Sequence, residues 1–286
     1  MTTTPIVAAV DGSRESILAV EWAAREARLR GAPLRIVSAT EMLPRMSPPP
    51  HAVDFETVAD AVRKNRDQQL AAATEVAAAM APGLPIETVP LDGPPALVVA
   101  DSATGALMLV TGSRGADAFS AMALGSVSRY AALNASCPVV VVREETMATH
   151  RQIVVGIRRP DDCADALGFA FEEAALRNAA LLAVHAWQSP RAAYPAHPEA
   201  RSHAAQTQAA EELQKLLEAW QQKYPSVSTR QDVMHGHPGR VLAGLSARAD
   251  LVVIGRHAHR MVPGPARIVH TVLSHAHGPV ATVPSA

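Results

Sequence analysis

The stretch Ile6-Val-Ala-Ala-Val-Asp-Gly-Ser13 decides the fold, because it is a short apolar run that ends in a polar turn. An uninterrupted apolar run of this length is typical of a parallel strand that is buried on both faces. The amphipathic stretch Ser13–Arg30 follows, with Glu15 in its first turn and Gly31 just beyond its end. Ser13 as N-cap and Gly31 as stop predict a helix there.

The same alternation continues through the first half of the chain. We predict strands at Ile6–Val10, Leu34–Ala39, Ile86–Val89, Leu107–Thr111 and Val139–Val142, and further helices at Phe55–Ala81, Ala96–Ser102 and Ala118–Ala135. Every one of these apolar strand runs is expected to be buried on both faces. Alternating strands and helices predict a parallel sheet with helices on both faces, in which ligands bind beyond the carboxyl ends of the strands.

The chain then repeats this half. Five segments have ordered counterparts: Ile6–Asp11 in Ile153–Arg158, Ile36–Ala39 in Ala183–Ala186, Gly93–Pro95 in Gly236–Pro238, Leu109–Gly112 in Val252–Gly255, and Cys137–Val142 in Gly278–Val283. Ordered matches of this kind indicate a duplication. We therefore predict two tandem doubly wound parallel-sheet (Rossmann-like α/β) domains of about five strands each. Their predicted bounds are residues 1–143 and 151–286, with a linker at 144–150.

Composition excludes several classes of protein. The 26 basic and 27 acidic side chains nearly balance, whereas a general nucleic-acid binder carries a basic excess. No apolar stretch is long enough for a membrane span, and the amino end lacks the pattern of a secretory signal. The two cysteines, Cys137 and Cys163, are too few for a disulfide framework. We expect a cytoplasmic protein that binds neither nucleic acid nor membrane.

A glycine-rich motif follows the fourth predicted strand. Gly112-Ser-Arg-Gly115 is separated by nine residues from Gly125-Ser126, where a helix opens. Glycine lets main-chain amides approach a polyanion, and a helix start adds unpaired N–H donors and a favourable dipole. The pattern predicts a phosphate site, in which enlarging Gly112 or Gly125 abolishes binding and leaves the fold intact. Glycines that merely turn the chain are the alternative reading.

Asp11 ends the neighbouring strand, where a carboxylate meets either a ribose hydroxyl or a metal ion bound to phosphate. No Gly-Lys-Ser/Thr follows the glycines, which excludes the loop of P-loop NTPases. No Gly-x-Gly-x-x-Gly follows the first strand, which counts against a dinucleotide-binding Rossmann domain.

Together, Gly-x2-Gly-x9-Gly-Ser, Val10-Asp-Gly-Ser13, Ile36-Val-Ser-Ala39 and Cys137-Pro-Val-Val-Val-Val142 resemble the universal stress protein family, and the duplication resembles its tandem actinobacterial members. The resemblance implies an ATP site, with Mg²⁺, in the first half. The residues it implies are Ala9, Asp11, Ser13, Val37, Ala39, Gly112, Ser113, Arg114, Gly115, Gly125, Ser126 and Val127. Ala9 departs from the glycine that the family often has there. Arg114 either reaches a phosphate oxygen or is solvated.

The second half departs from the motif in a consistent direction. Arg158 replaces Asp11, Ala258 replaces Gly115, and Ala266 and Arg267 replace Gly125 and Ser126. Added Cβ atoms narrow the approach to the main chain, so we expect no Mg-ATP site there. Arg158, Arg159, Arg256 and Arg267 are the candidates for holding a smaller anion; solvated arginines are the alternative.

Histidines are concentrated in the second half, with pairs at 235/237, 257/259 and 275/277. Solvated histidines are the favoured reading, since no carboxylate or cysteine accompanies the pairs to complete a metal site. A surface charge that depends on pH is the other alternative, because histidine titrates close to neutrality. We expect no catalytic residues and a nucleotide-responsive regulator of the stress response. A slow ATPase and a nucleotide-independent interaction module are the alternatives. The resemblance also implies that the last strands join the two repeats as an internal pseudo-dimer; two chains associating as a homodimer is a further alternative.

Overall fold

The protein, studied as a computed structural model, is described over residues 4–41, 55–115, 124–143, 149–158, 163–188, 198–256 and 263–285. It divides into two compact units, Met1–Arg143 and Glu144–Ala286. Each unit contains five parallel strands with helices on both faces, so the predicted fold class is confirmed. Over the described residues, no helix combines the length and the apolar character that crossing a bilayer requires.

The first unit begins with the two elements that the opening stretch predicts. Its strands are β1 (Ile6–Val10), β2 (Leu34–Thr40), β3 (Ile86–Asp92), β4 (Met108–Gly112) and β5 (Val139–Val142), and its helices are α1 (Arg14–Arg30), α2 (Phe55–Met80), α3 (Pro95–Ser102) and α4 (Ser126–Asn134). The strand order is β3-β2-β1-β4-β5. The order reverses between β1 and β4, so a crevice forms at their carboxyl ends.

The second unit has the same topology. Its strands are β6 (Gln152–Gly156), β7 (Ala180–Trp187), β8 (Thr229–His235), β9 (Leu251–Arg256) and β10 (Val280–Pro284), and its helices are α5 (Ala164–Arg177), α6 (Pro198–Lys223), α7 (Pro238–Leu245) and α8 (Pro263–His275). A 3₁₀ turn, Ser246–Arg248, follows α7. The order β8-β7-β6-β9-β10 places its reversal between β6 and β9.

Burial distinguishes β3 from β1, β4 and β5. β1, β4 and β5 are buried along their whole length, as expected for parallel strands covered on both faces. The expectation that the run at Ile86 is also fully buried is wrong, because Glu87 and Thr88 are exposed. β3 pairs only with β2 among the described strands and so lies at the edge of the unit's sheet.

Helix ends follow local sequence signals. The Ser13 hydroxyl accepts a hydrogen bond from the Ser16 amide and so caps α1, and Gly31 ends α1 at φ 61°. The helix predicted from Ala118 begins later, since Leu124 and Gly125 are not helical and α4 starts at Ser126. The start of that predicted helix, residues 118–123, lies outside the described residues.

Each unit places an ion pair inside its first helix. Glu26 of α1 pairs with Arg30 at 2.5 Å, and Glu173 of α5 pairs in the same way with Arg177. The Glu173 side chain is fully buried, whereas 17% of the Arg177 side chain is exposed. An i,i+4 pair of this kind joins neighbouring turns of one helix.

Aromatic rings fill the space between α5 and α6 in the second unit. Phe171 stacks on Trp220 with 5.8 Å between ring centroids, and Tyr224 stacks on Phe171 at 5.6 Å. A Cβ on Gly168 would lie 2.9 Å from the Trp220 ring. Gly168 is therefore needed for the indole to approach α5 this closely.

Candidate functional site

The crevice at the carboxyl ends of β1, β2 and β4 is open and lined by both backbone and side chains. We call it the N-terminal cleft; it encloses about 530 Å³, part of it open to solvent. Nine of the twelve predicted site residues line it: Ala9, Asp11, Ala39, Gly112, Arg114, Gly115, Gly125, Ser126 and Val127. The topology brings these residues together from three strand ends and the start of α4.

Asp11 is held in place by the turn that follows β1. Its Oδ1 accepts hydrogen bonds from the Ser13 amide at 3.0 Å and from the Ser13 hydroxyl at 2.5 Å. Gly12, at φ 82°, permits this tight turn. Oδ2 lies over Gly115, where an added Cβ would come within 2.7 Å of it. The carboxylate therefore stands above the loop that follows β4.

Helix α2 supports the same turn from outside. The Gln69 amide nitrogen donates to the Asp11 carbonyl at 3.1 Å, and the Ser38 hydroxyl donates to Gln69 Oε1 at 3.1 Å. One turn earlier, Arg66 donates to Asp92 Oδ1 at 2.7 Å and to the Thr40 hydroxyl at 3.2 Å. Two side chains of α2 thus tie down the ends of β1, β2 and β3.

The start of α4 opens into the cleft without a side-chain cap. Gly125, its N-cap residue, has no side chain to cap the helix, and its own amide donates to the Ser113 carbonyl at 2.8 Å. Ser126 and Val127, the first two residues of the helix, line the cleft. The first-turn amides of a helix have no partner within the helix, so an uncapped start attracts anions.

The three glycines of the motif have different surroundings. A Cβ on Gly112 would lie 2.7 Å from the Glu15 carbonyl carbon and 2.9 Å from the Ser16 amide nitrogen, both in the main chain of α1. A Cβ on Gly125 would meet nothing closer than 3.4 Å. The expectation that either glycine can be enlarged without harm to the fold is therefore wrong for Gly112. That glycine is required by the packing of α1 on β4.

Arg114 lies between the motif glycines, lines the cleft and pairs with an acidic side chain. Its Nη2 lies 2.7 Å from Glu15 Oε1, and the two side chains are 28% and 20% exposed. The guanidinium is thus held against an acid of α1. A contact with a phosphate oxygen stays a prediction.

Three predicted residues do not line the cleft. Ser13 caps α1, and Val37 is fully buried in β2. Ser113 is also buried, and its contribution is the carbonyl that accepts from Gly125. These residues support the site and do not form its surface.

Sequence reasoning missed six lining residues: Val10, Ser16, Pro95, Val99, Thr111 and Ser128. Thr111 directly precedes Gly112, and Ser128 follows Val127, so proximity to the motif was the available signal. The Ser128 hydroxyl donates to the Gly112 carbonyl at 2.5 Å, which fixes α4 against β4. Pro95 and Val99 belong to α3, and no motif marks them.

Comparison with known proteins identifies the family of this chain. The family model for the universal stress protein family matches the chain twice, over residues 2–143 and 149–284. The chain belongs to the universal stress protein family. It is 32% identical over 261 residues to a universal stress protein of Mycobacterium tuberculosis, covering 87% of this chain and 85% of that one. These matches confirm the resemblance to tandem actinobacterial members.

Two further relatives extend the comparison. A universal stress protein of Mycolicibacterium smegmatis is 32% identical over 258 residues, covering 88% of this chain and 86% of that one. The crystal structure of a universal stress protein from Archaeoglobus fulgidus aligns with a TM-score of 0.70 at 15% identity, covering 99% of each chain. At that identity the structural likeness supports the fold alone.

In this universal stress protein the second repeat keeps a cleft of different chemistry. The C-terminal cleft encloses about 640 Å³, part of it open to solvent, at the carboxyl ends of β6, β7 and β9. Ile254 stands where the first repeat has Thr111, Cys163 where it has Ser16, and Val269 where it has Ser128. Three hydroxyl groups of the first cleft are thus replaced by two aliphatic side chains and a thiol.

Three of the four arginines predicted around this cleft are among the described residues, and one of these three lines it. Arg158 lines it. Arg256 is buried but is not part of the lining, and Arg267 is exposed on α8. Arg159 and Ala258 lie outside the described residues, as do His257 and His259. Over the described part of the chain, no group of three or more His, Cys, Asp or Glu side chains is placed to hold a metal ion.

Proposed function

We propose that this universal stress protein binds an adenine nucleotide, ATP with Mg²⁺, in the N-terminal cleft and acts as a nucleotide-responsive regulator in the stress response. The observation that carries the proposal is the uncapped start of α4, which opens into a glycine-lined cleft. The start of α1, by contrast, is capped by Ser13 and faces the same turn as Asp11. Main-chain amides of α4 are therefore the natural partners of the phosphates.

Charge in the cleft supports a nucleotide that carries its own cation. Among the described lining residues, Arg114 carries the positive charge and is paired with Glu15, while Asp11 adds a negative charge. A triphosphate beside an aspartate needs a counter-charge, which Mg²⁺ supplies because it is bound by carboxylate and phosphate oxygens. Asp11 is the residue that would hold Mg²⁺ or, alternatively, a ribose hydroxyl.

The opposite end of the cleft has an apolar lining. Ala39 of β2 and Pro95 and Val99 of α3 contribute small or aliphatic surfaces there. A purine ring fits a lining of this kind, because the two faces of the flat ring are largely apolar. The main chain around Val37–Ala39 is accordingly the proposed contact for adenine.

We propose binding without dedicated turnover. Asp11 is the one carboxylate among the described lining residues, and its Oδ1 already accepts two hydrogen bonds from Ser13. Phosphoryl transfer requires a positioned base and cations around the transferred group. Steady-state phosphate release that is lost in Asp11→Ala would instead support the slow ATPase.

Equilibrium dialysis of nucleotide-free protein against Mg-ATP tests the proposal. We expect one ATP per chain, and thermal stabilisation of about 2.7 kcal/mol at a hundredfold excess over Kd. No binding at millimolar ATP contradicts the proposal, and two ATP per chain contradicts its assignment to one repeat. Gly244→Ala, on α7, is a suitable control. A methyl group at this position would have no packing neighbour within 4 Å.

The regulatory role needs a separate measurement. Limited proteolysis with and without Mg-ATP reports whether occupancy changes the protein's conformation, and an identical digestion pattern would favour the nucleotide-independent interaction module. The cytoplasmic location, the absence of nucleic-acid binding, the predicted pairing of the repeats through their last strands and the alternative of a homodimer stay predictions from the sequence.

A further inference from the structure

Thr111 lines the N-terminal cleft, and its hydroxyl group is buried without a hydrogen-bond partner. The residue is 2% exposed, lies at the penultimate position of β4 and lines the cleft. Buried hydroxyls are normally paired. Ser128 and Ser246 follow that rule, since their hydroxyls donate to the carbonyls of Gly112 and Ala243. The unpaired hydroxyl of Thr111 therefore requires an explanation.

The strands on either side of Thr111 offer no acceptor. The register that pairs Ala8 with Val110 sets Ala9 beside Thr111, and Val141 of β5 pairs with Thr111 directly. Both neighbours are aliphatic. In-register residues of parallel strands point to the same face, so apolar side chains flank the hydroxyl across the sheet.

Packing alone does not call for a hydroxyl at this position. Valine has the shape of threonine without its polar group, and the second repeat places Ile254 at the equivalent point of β9. Ile254 lines the C-terminal cleft, so the fold accepts an aliphatic side chain there. The hydroxyl is thus specific to the repeat that carries the glycine motif.

The position of Thr111 decides which part of a ligand it meets. On one side lie Ser126 and Val127 at the start of α4, and on the other lies Ala39 at the end of β2. β4 leads into α4 and is separated from β2 by β1 in the sheet, so Thr111 lies on the strand nearer to the start of α4. A nucleotide with its phosphates at the start of α4 and its adenine beside Ala39, as proposed above, would have its ribose–α-phosphate segment next to the phosphates, on the side of β4.

We propose that Thr111 is a ligand-contact residue whose hydroxyl donates a hydrogen bond to an oxygen of the ribose–α-phosphate segment of the bound nucleotide. The inference rests on the proposed function. It predicts that the Thr111 hydroxyl lowers the stability of the nucleotide-free protein and raises the affinity for the nucleotide. Replacing the hydroxyl by a methyl group should therefore change stability and affinity in opposite directions.

Thr111→Val in the full-length chain is the test, with Mg-ATP as the probe. We expect the nucleotide-free variant to unfold at a higher urea concentration than the wild type. We expect its affinity for Mg-ATP to fall about tenfold, the usual effect of losing one hydrogen bond to a ligand oxygen. Thr111→Ser, which keeps the hydroxyl, should retain most of the affinity. Affinities for AMP and adenosine identify the acceptor oxygen. If Thr111 contacts the α-phosphate, Thr111→Val should weaken binding of AMP but not of adenosine. If Thr111 contacts the ribose, the variant should weaken binding of both.

Thr282→Val is the matched control. Thr282 on β10 is fully buried, but its hydroxyl is not among the buried polar groups that lack a partner. We expect this variant to unfold at a lower urea concentration and to bind Mg-ATP as the wild type does. Comparing Thr111→Val with Thr282→Val distinguishes the effect of removing a buried hydroxyl from the effect of removing a ligand contact.

Each other outcome overturns the inference. A Thr111→Val protein that binds Mg-ATP as tightly as a binding-competent wild type overturns it and leaves the proposed function standing. A variant that loses stability together with affinity marks Thr111 as a structural residue and also overturns it. A wild type that binds no adenine nucleotide overturns both proposals.

Discussion

Gly112→Ala should destabilise the protein, whereas Gly125→Ala should not. A Cβ on Gly112 would lie 2.7 Å from the carbonyl carbon and 2.8 Å from the carbonyl oxygen of Glu15. It would also lie 2.9 Å from the Ser16 amide nitrogen. These are main-chain atoms in the first turn of α1, and they do not rotate aside as the end of a side chain does. The start of α1 or the end of β4 must move.

The size of the effect follows from the cost of overfilling a packed site. Adding a carbon where the neighbours cannot yield costs about 1–3 kcal/mol of unfolding free energy. For a domain of this size, each kcal/mol lowers Tm by roughly 2–4 °C. We therefore expect Gly112→Ala to lower the Tm of the nucleotide-free protein by about 2–12 °C.

Two variants make the comparison specific. In Gly125→Ala the methyl group stays at least 3.4 Å from every neighbour, and φ −60°, ψ 150° suits alanine. In Gly255→Ala, the equivalent of Gly112 in the second repeat, the nearest atom is the Ala166 methyl carbon at 3.6 Å. Both should remain within about 0.5 kcal/mol of the wild type.

Scanning calorimetry measures the stability of the three variants, and dialysis measures their affinity for Mg-ATP. Gly125→Ala should bind roughly tenfold more weakly, since its methyl group lies 3.6 Å from the Gly115 amide nitrogen, next to the proposed phosphate position. Equal Tm values for Gly112→Ala and Gly125→Ala would refute the reasoning. That result would mean that α1 moves away from β4 without cost.

Two other substitutions test the packing of the second unit. Arg177→Met should cost about 1.5–3 kcal/mol in urea unfolding, because the fully buried Glu173 carboxylate loses its charged hydrogen bond with the arginine; a loss below about 0.5 kcal/mol would contradict this. Gly168→Ala should lower stability by about 1–3 kcal/mol and shift tryptophan emission, because its Cβ would lie 2.9 Å from the Trp220 ring. Unchanged emission would show that the ring stack tolerates the methyl group.

Much of the fold is visible in the sequence because its signals are local. The bounds of β1 and β5 were predictable from uninterrupted apolar runs, and those of α1 from Ser13 and Gly31. The exposure of β3 also had a local signal, because Glu87 and Thr88 interrupt its apolar residues. Its place beside a single described strand, β2, could not be read from the sequence.

The candidate site was also predictable only in part. The motif predicted that Gly112, Gly115 and Gly125 would meet Asp11, because strand ends of a parallel sheet share one edge. The pairing of Arg114 with Glu15 and the unpaired hydroxyl of Thr111 depend on how α1 and β5 pack against β4. No spacing in the sequence carries that information.

The two side chains of α2 have a mechanical consequence. Gln69 is bonded to the Asp11 carbonyl, and Arg66, one helical turn away, is bonded to Asp92 at the far edge of the unit's sheet. A displacement of the Asp11 turn would therefore pull on the same helix that holds the carboxyl end of β3.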